Sequence, residues 1–232
     1  MAMMHPIHVV GCGPGAGEFL TREAERVAAA ADVLAGAARL LDLFPDAGGK
    51  KYVWRSGADD FIAAVRDFRE NGKRVAVLVS GDVGVYSLAS RIVAAFGADT
   101  CRLHPGVSAF VLAFARLGLP WENALFIHAH GGRPEVGQAD IDRAERIAVA
   151  LGPGEGWDWF VRFAADVMKT HDVSLCLDLS LAGERIVAVR SAGDLAALTP
   201  PRLAIAVLVR TGHQSLPRRS ICPSGNESNR NA

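Results

Sequence analysis

The chain opens with a short β-branched run at residues 7–10 that Gly11 stops. Residues 20–31 then carry Leu20, Ala24, Val27, Ala28 and Ala31 on one helical face. Thr21 or a neighbour is placed to cap that helix, and Glu23 and Glu25 put acidic charge near its start. Residues 33–35 read as a short buried strand ended by Gly36, and 51–54 as another. The stripe Phe61, Ile62, Val65 and Phe68 predicts a helix over 58–70, closed by Asn71-Gly72. RVAVLV, residues 74–79, is the clearest interior strand, and Ser80-Gly81-Asp82 ends it. Residues 86–96 read as a helix, 100–103 as a strand, His104-Pro105-Gly106 as a turn and 108–117 as a helix.

Gly118-Leu119-Pro120-Trp121 reads as a boundary between a first domain, 1–118, and a second, 119–210. In the second, residues 124–130, 173–179, 185–189 and 203–209 read as strands. Residues 141–151 and 157–168 read as helices, with a short one near 194–198. From Thr211 the periodicity is lost, and 211–232 is expected to be a disordered tail. Strands alternating with helices predict an α/β fold with a mostly parallel sheet in the N-terminal domain. In such sheets ligands bind beyond the carboxyl ends of the strands. Three glycine-bearing turns fall there, at 11–17, 80–84 and 105–108.

Composition narrows the ligand. The chain has 232 residues, half of them apolar, which suits one or two α/β domains. Its formal net charge is zero, so neither nucleic acid nor an anionic membrane is an implied partner. No apolar run reaches the roughly 18–20 residues of a membrane span, and MAMMHPIHVV lacks the features of a signal peptide. Cys12, Cys101, Cys176 and Cys222 form no C-x-x-C pair, so neither a zinc site nor a disulfide framework is expected. Buried thiols in a reducing cytoplasm fit better, with Cys12 a candidate for reactivity because it lies inside the first glycine turn.

The first turn admits several ligands. A nucleoside-triphosphate loop needs a lysine after its glycines, and none follows here. Gly11-x-Gly13-x-x-Ala16 meets a loose dinucleotide pattern, with Asp32 about 20 residues on, so an NAD-dependent oxidoreductase is one reading. Against it, Pro14 and the residues to Phe19 delay the helix whose N-terminus would take a pyrophosphate, and Asp32 precedes the second strand.

GCGPGAGEFLT, VLVSGDVGVYSLA and HPGVSAFVLAFARLGLPW together resemble the tetrapyrrole methylase family. DVLAG with Arg39-Leu40, SGD-x-G-x-YSLA, and PG-x-S before LAFARLGLPW are similar to its CbiE-type branch, which corresponds to the N-terminal half of precorrin-6Y methyltransferase. The resemblance spans roughly residues 7–133 and weakens beyond. It implies a two-domain fold with a smaller α/β C-terminal domain and S-adenosylmethionine in the cleft between domains. It implies methylation of carbon 5 of a precorrin or cobalt-precorrin of the precorrin-6Y or cobalt-precorrin-7 type. Methylation at carbon 15 with decarboxylation would belong to a separate CbiT-like partner, because the chain ends without that domain. A homodimer is the usual assembly. Carried over by position, the cofactor residues are Gly11, Gly13, Pro14, Ser80, Gly81, Asp82, Val85, Ser108 and Ala109. Tyr86, His130 and Arg133 are candidate substrate residues, with Arg116 a further cation for carboxylate arms.

The physical chemistry agrees with that placement. Adenosylmethionine has no phosphate, so it needs neither a lysine nor an abrupt helix start. Its ammonium and carboxylate can be met by backbone groups on tight turns, and glycine lets backbone approach closely. Methyl transfer from a sulfonium expels a neutral thioether, so alignment and exclusion of water do most of the work. No nucleophile, triad or metal ligand set is therefore needed, and a general base is not assignable. Each mark also has a plain structural reading: Asp82 and Ser108 as caps, Tyr86 as core, and Arg133 as a solvated loop arginine. His128 and His130 alternate on one strand, and His130 fits a polar cleft position better than a metal pair. The divergent stretch 134–179 leaves a non-catalytic tetrapyrrole-binding relative as a further reading. A methylase for another ring carbon or for diphthamide synthesis is another, against which LAFARLGLPW argues.

Overall fold

The computed structural model describes residues 4–55 and 57–212. The chain divides into two compact units, Met1–Ala109 and Phe110–Ala232. Within the expected tail, residues 213–232 lie outside the described residues, as does Cys222.

The first unit is built on five parallel strands: β1 (Ile7–Gly11), β2 (Val33–Gly36), β3 (Lys50–Val53), β4 (Val75–Val79) and β5 (Cys101–His104). Their order is β3-β2-β4-β1-β5, with Val9 opposite Val77 on one side and Leu103 on the other. Helices α1 (Arg22–Ala30), α2 (Ala38–Leu41), α3 (Ala58–Glu70) and α4 (Ala89–Phe96) connect them. One face of the sheet packs Val9, Ala35 and Val77 against Phe61 and Val65 of α3 and Ile92 of α4. The other packs Val10, Leu34 and Leu78 against Ala24 and Val27 of α1 and Leu40 of α2. A strand covered on both faces must be apolar throughout, which is why all five residues of β4 are buried. Burying a side chain such as Phe61 contributes about 1.5–3 kcal/mol.

Local signals set several boundaries. Thr21 caps α1, its Oγ1 accepting the Ala24 N–H at 3.0 Å. Asn71 ends α3, and Gly72 follows at φ +72°. The helix expected from Tyr86 starts instead at Ala89, because Tyr86 sits at φ +46° and cannot continue an α-helix.

From Phe110 on, the second unit contains the rest of α5 (Ala109–Leu117), then β6 (Leu125–Ala129), α6 (Gln138–Arg143), β7 (Arg146–Leu151), α7 (Glu155–Val167), β8 (His171–Leu177), β9 (Arg185–Val189), α8 (Ala192–Ala196) and β10 (Ala204–Arg210). Its sheet runs β6-β7-β10-β8-β9, with β6 and β7 parallel and the other pairs antiparallel. Trp157, Phe160 and Ala164 of α7 pack on Ile127, Ile147, Val149, Leu175 and Ala206. Phe110 of α5 stacks on Phe126 of β6 at 4.8 Å.

The helix expected over 141–151 is wrong. Helix α6 ends at Arg143, Ala144 turns extended (φ −71°, ψ 126°) and RIAVAL becomes strand β7. Ile141, Ala144, Ile147 and Leu151 have helical spacing, but β7 lies between β6 and β10 and is buried on both faces. A doubly buried strand shows no polar alternation, so periodicity cannot tell it from a helix.

Candidate cofactor site

The turns that follow β1, β4 and β5 meet at the carboxyl ends of the first sheet. Gly13 and Gly81 form a two-way backbone bridge: the Gly13 N–H donates to Gly81 O at 3.2 Å, and the Gly81 N–H to Gly13 O at 2.9 Å. Both residues have positive φ, +72° and +67°, which glycine adopts without strain. The Cys12 N–H donates to Val79 O at 2.8 Å. A Cβ on Gly11 would lie 2.7 Å from Gly106 N and 2.8 Å from Gly81 O. Here glycine is required because three main chains touch with no room for a side chain.

Asp82 joins two of these turns. Its Oδ1 accepts the Gly84 N–H at 2.7 Å, and its Oδ2 accepts the Gly106 N–H at 3.0 Å. The β5 turn is held from the α1 side as well. His104 pairs with His8, Nε2 to Nδ1, at 2.9 Å and with Glu23 at 3.2 Å. Burial, and then the neighbouring His104, push the His8 pKa below its usual value.

Around this knot, Pro14 and Ser108 are buried, Gly81, Asp82, Val85 and Ala109 are half-buried, and Ser80 is exposed. A Cβ on Gly81 would meet nothing within 4 Å, so that side of the turn is open. Tyr86 is 56% exposed, which excludes its reading as core. Gly106, absent from the expected cofactor set, turns out to be a central contact. The signal was present in PG-x-S, but only its distance to Gly11 and Gly81 gives it a meaning.

His130 and Arg133 belong to the second unit. His130 follows β6, its Nδ1 lies 3.3 Å from Leu151 O, and its ring occupies the space beside Gly152. Gly156, in the first turn of α7, packs directly on Ala129 O. Gly152, Gly154 and Gly156 thus form a strand-to-helix turn after β7, missed when β7 was read as helix. Arg133 is exposed and borders an open groove of about 1020 Å³ with Trp159, Arg162, Phe163 and Asp166. Arg116 is bound to Glu184, Nε to Oε1, at 2.5 Å. His128 is half-buried, and burial lowers its pKa.

The oxidoreductase reading loses its acidic residue. Asp32 precedes β2, at the opposite end of the sheet from the glycine turns. Its carboxylate accepts Arg74 Nη2 at 2.7 Å, Arg74 Nε at 3.1 Å and the Arg74 N–H at 2.8 Å. Cys12 is fully buried, and burial pushes its thiol up to about 12, which makes it unreactive.

Residues 6–196 match the family model described as Tetrapyrrole (Corrin/Porphyrin) Methylases. The chain is 37% identical over 128 residues to the cobalt-precorrin-7 C(5)-methyltransferase of Salmonella typhimurium, covering 53% of this chain and 60% of that relative. Among solved structures, the methyltransferase CobJ superposes with a TM-score of 0.74 at 19% identity, covering 94% of this chain and 100% of that one. The uroporphyrin-III C-methyltransferase of Thermus thermophilus, solved in complex with S-adenosyl homocysteine, superposes at 0.69 with 22% identity, covering 88% and 97%. These two structures establish the likeness of fold. With the family model covering most of its length, the chain belongs to the tetrapyrrole (corrin/porphyrin) methylase family.

Proposed function

We propose that this protein is an S-adenosylmethionine-dependent methyltransferase of corrin-ring biosynthesis, acting on carbon 5 of a precorrin or cobalt-precorrin of the precorrin-6Y or cobalt-precorrin-7 type. The observation that carries the reading is the backbone knot of Gly11, Gly13, Gly81 and Gly106 at the carboxyl ends of a parallel sheet. The name of the Salmonella relative supplies the choice of ring carbon.

The donor set fits an adenosyl cofactor that lacks phosphate. The three turns carry no lysine or arginine, and the first passes through the three-residue 3-10 turn Gly17–Phe19 before α1, which begins at Arg22. Gly81 presents backbone toward open space that any side chain there would enter. In this reading Ser80, Gly81 and Val85 face the cofactor from one turn, and Ser108 and Ala109 from the next. Pro14 borders the site, while Gly11 and Gly13 hold the turns together. When bound, S-adenosylmethionine supplies an activated methyl group. The protein's own part is to hold the reacting carbon in line with that methyl and to keep water out. Tyr86, His130 and Arg133 are the proposed substrate contacts, with Arg133 suited to a carboxylate arm. A cytoplasmic homodimer belongs to the same reading and rests on the family resemblance.

Calorimetry with adenosylhomocysteine, followed by methyl transfer to precorrin-6Y or cobalt-precorrin-7, tests this. We expect saturable binding and one methyl added per ring. Tight binding of NAD with none of adenosylhomocysteine would overturn the reading.

A further inference from the structure

We infer that Asp82 is a positioning residue: its carboxylate fixes the β4 turn against the β5 turn and does not receive the ammonium of the ligand. The inference rests on the proposed cofactor site and changes the part Asp82 plays in it. Each oxygen already accepts a main-chain N–H, Oδ1 from Gly84 and Oδ2 from Gly106. The first bond closes the β4 turn locally. The second crosses 24 positions of sequence to the β5 turn.

The bridge requires a carboxylate of this length. Two main-chain N–H groups bond to different terminal atoms of one side chain, so both of those atoms must be acceptors. Asparagine offers one oxygen and turns an amino group toward the other N–H. Glutamate places its carboxylate one carbon farther out. Gly84 has no side chain, and a Cβ there would come within 3.1 Å of Asp82 Oδ1. Gly106 is in turn confined by Gly11 and Gly81, so its N–H has a fixed direction. The residues joined by this strut are those that set Val85 on one turn and Ser108 and Ala109 on the other. Asp82 therefore acts on ligand affinity through the spacing of the turns.

Two probes separate positioning from contact: adenosylhomocysteine, and 5′-methylthioadenosine, which lacks the amino-acid portion. Affinities are measured by calorimetry for the wild type, Asp82→Asn and Asp82→Ala. Amide hydrogen exchange at Gly84 and Gly106 is followed without ligand, and circular dichroism identifies folded variants. We expect affinity for both probes to fall together, by about tenfold in Asp82→Asn, the worth of one lost charge-assisted bond, and by more in Asp82→Ala, which loses both. Exchange should accelerate at both Gly84 and Gly106 in Asp82→Ala, and at one of the two in Asp82→Asn. If only adenosylhomocysteine binding weakens, and exchange is unchanged, Asp82 contacts the amino-acid portion and the inference is overturned. Unchanged affinity and exchange overturn it too. A wild type that binds neither probe, with exchange still accelerated in the variants, supports the strut and refutes the cofactor reading. Should Asp82→Ala fail to fold, Asp82→Asn decides, since it keeps one of the two bonds.

Discussion

Replacing Gly106 with alanine tests the convergence of the three turns without any ligand. The added Cβ would sit 2.6 Å from both the carbonyl carbon and oxygen of Gly11, and would also run into Gly81 O. Ordinary contact begins at 3.4 Å, so the β1 turn would have to retreat by about 0.8 Å. All three obstructing atoms are backbone, and no rotamer change relieves the clash. Overpacking of this kind costs about 1–3 kcal/mol. The retreat also strains the Gly13–Gly81 bridge and the Asp82–Gly106 bond, each worth about 1 kcal/mol. A loss of about 2–4 kcal/mol lowers the melting temperature of a chain this long by on the order of 10 °C. Two other glycines calibrate the result. Gly17→Ala meets nothing within 4 Å and should stay within about 0.5 kcal/mol of wild type. Gly81→Ala also meets nothing, but its φ of +67° costs about 1–2 kcal/mol as backbone strain alone. Differential scanning calorimetry should therefore rank the variants Gly17→Ala, Gly81→Ala, Gly106→Ala in order of increasing destabilisation. A Gly106→Ala protein that melts with Gly17→Ala, and binds adenosylhomocysteine as the wild type does, would refute the contact between turns.

Three further outcomes follow from other parts of the molecule. Arg116→Ala leaves the Glu184 carboxylate, only 7% exposed, with the Ser180 N–H and no ion-pair partner among the described residues, at a cost of about 2 kcal/mol in urea denaturation. That is below the usual range for a buried pair because Arg116 itself is 35% exposed. Cys12 and Cys176, both pushed up to about 12 by burial, should resist iodoacetamide at pH 8 in the folded protein and label fully in denaturant, as read by peptide mass mapping. Asp32 is held below the usual carboxylate range by hydrogen bonds from the Arg74 side chain and N–H. Its contribution to stability is present above about pH 4 and is lost as the pH falls through its lower folded value. The gap in melting temperature between wild type and Asp32→Asn should accordingly be widest near neutrality and close in acid.

The candidate site was legible wherever a short stretch of chain carries its own cause. Gly13 and Gly81 stand at strand ends because their turns need positive φ, and that is visible one turn at a time, whereas Gly11 and Gly106 are glycine because main chains of other turns touch them. The Thr21 cap and the Asn71-Gly72 stop were readable for the same reason, since their hydrogen bonds and dihedrals are local. Tyr86 was misplaced because nothing nearby marks its positive φ. The β7 strand, and with it the Gly152–Gly154–Gly156 turn, was missed because alanine and isoleucine at helical spacing also suit a strand flanked on both sides.

The chain's local patterning, by itself, determined an α/β protein with a parallel first sheet, three backbone-exposing turns at its strand ends, and a set of apolar positions sufficient for its cores. Tertiary structure alone decided which main chains touch, that both oxygens of Asp82 are engaged by N–H groups from two turns, that Asp32 is committed to Arg74, and that Arg116 answers Glu184. The physical reason is the range of the forces. Propensity, capping and turn strain act over a few residues and are written in order along the chain. Close packing and hydrogen-bond pairing act between groups many positions apart, and their partners become definite only when the sheet brings them within a few ångströms.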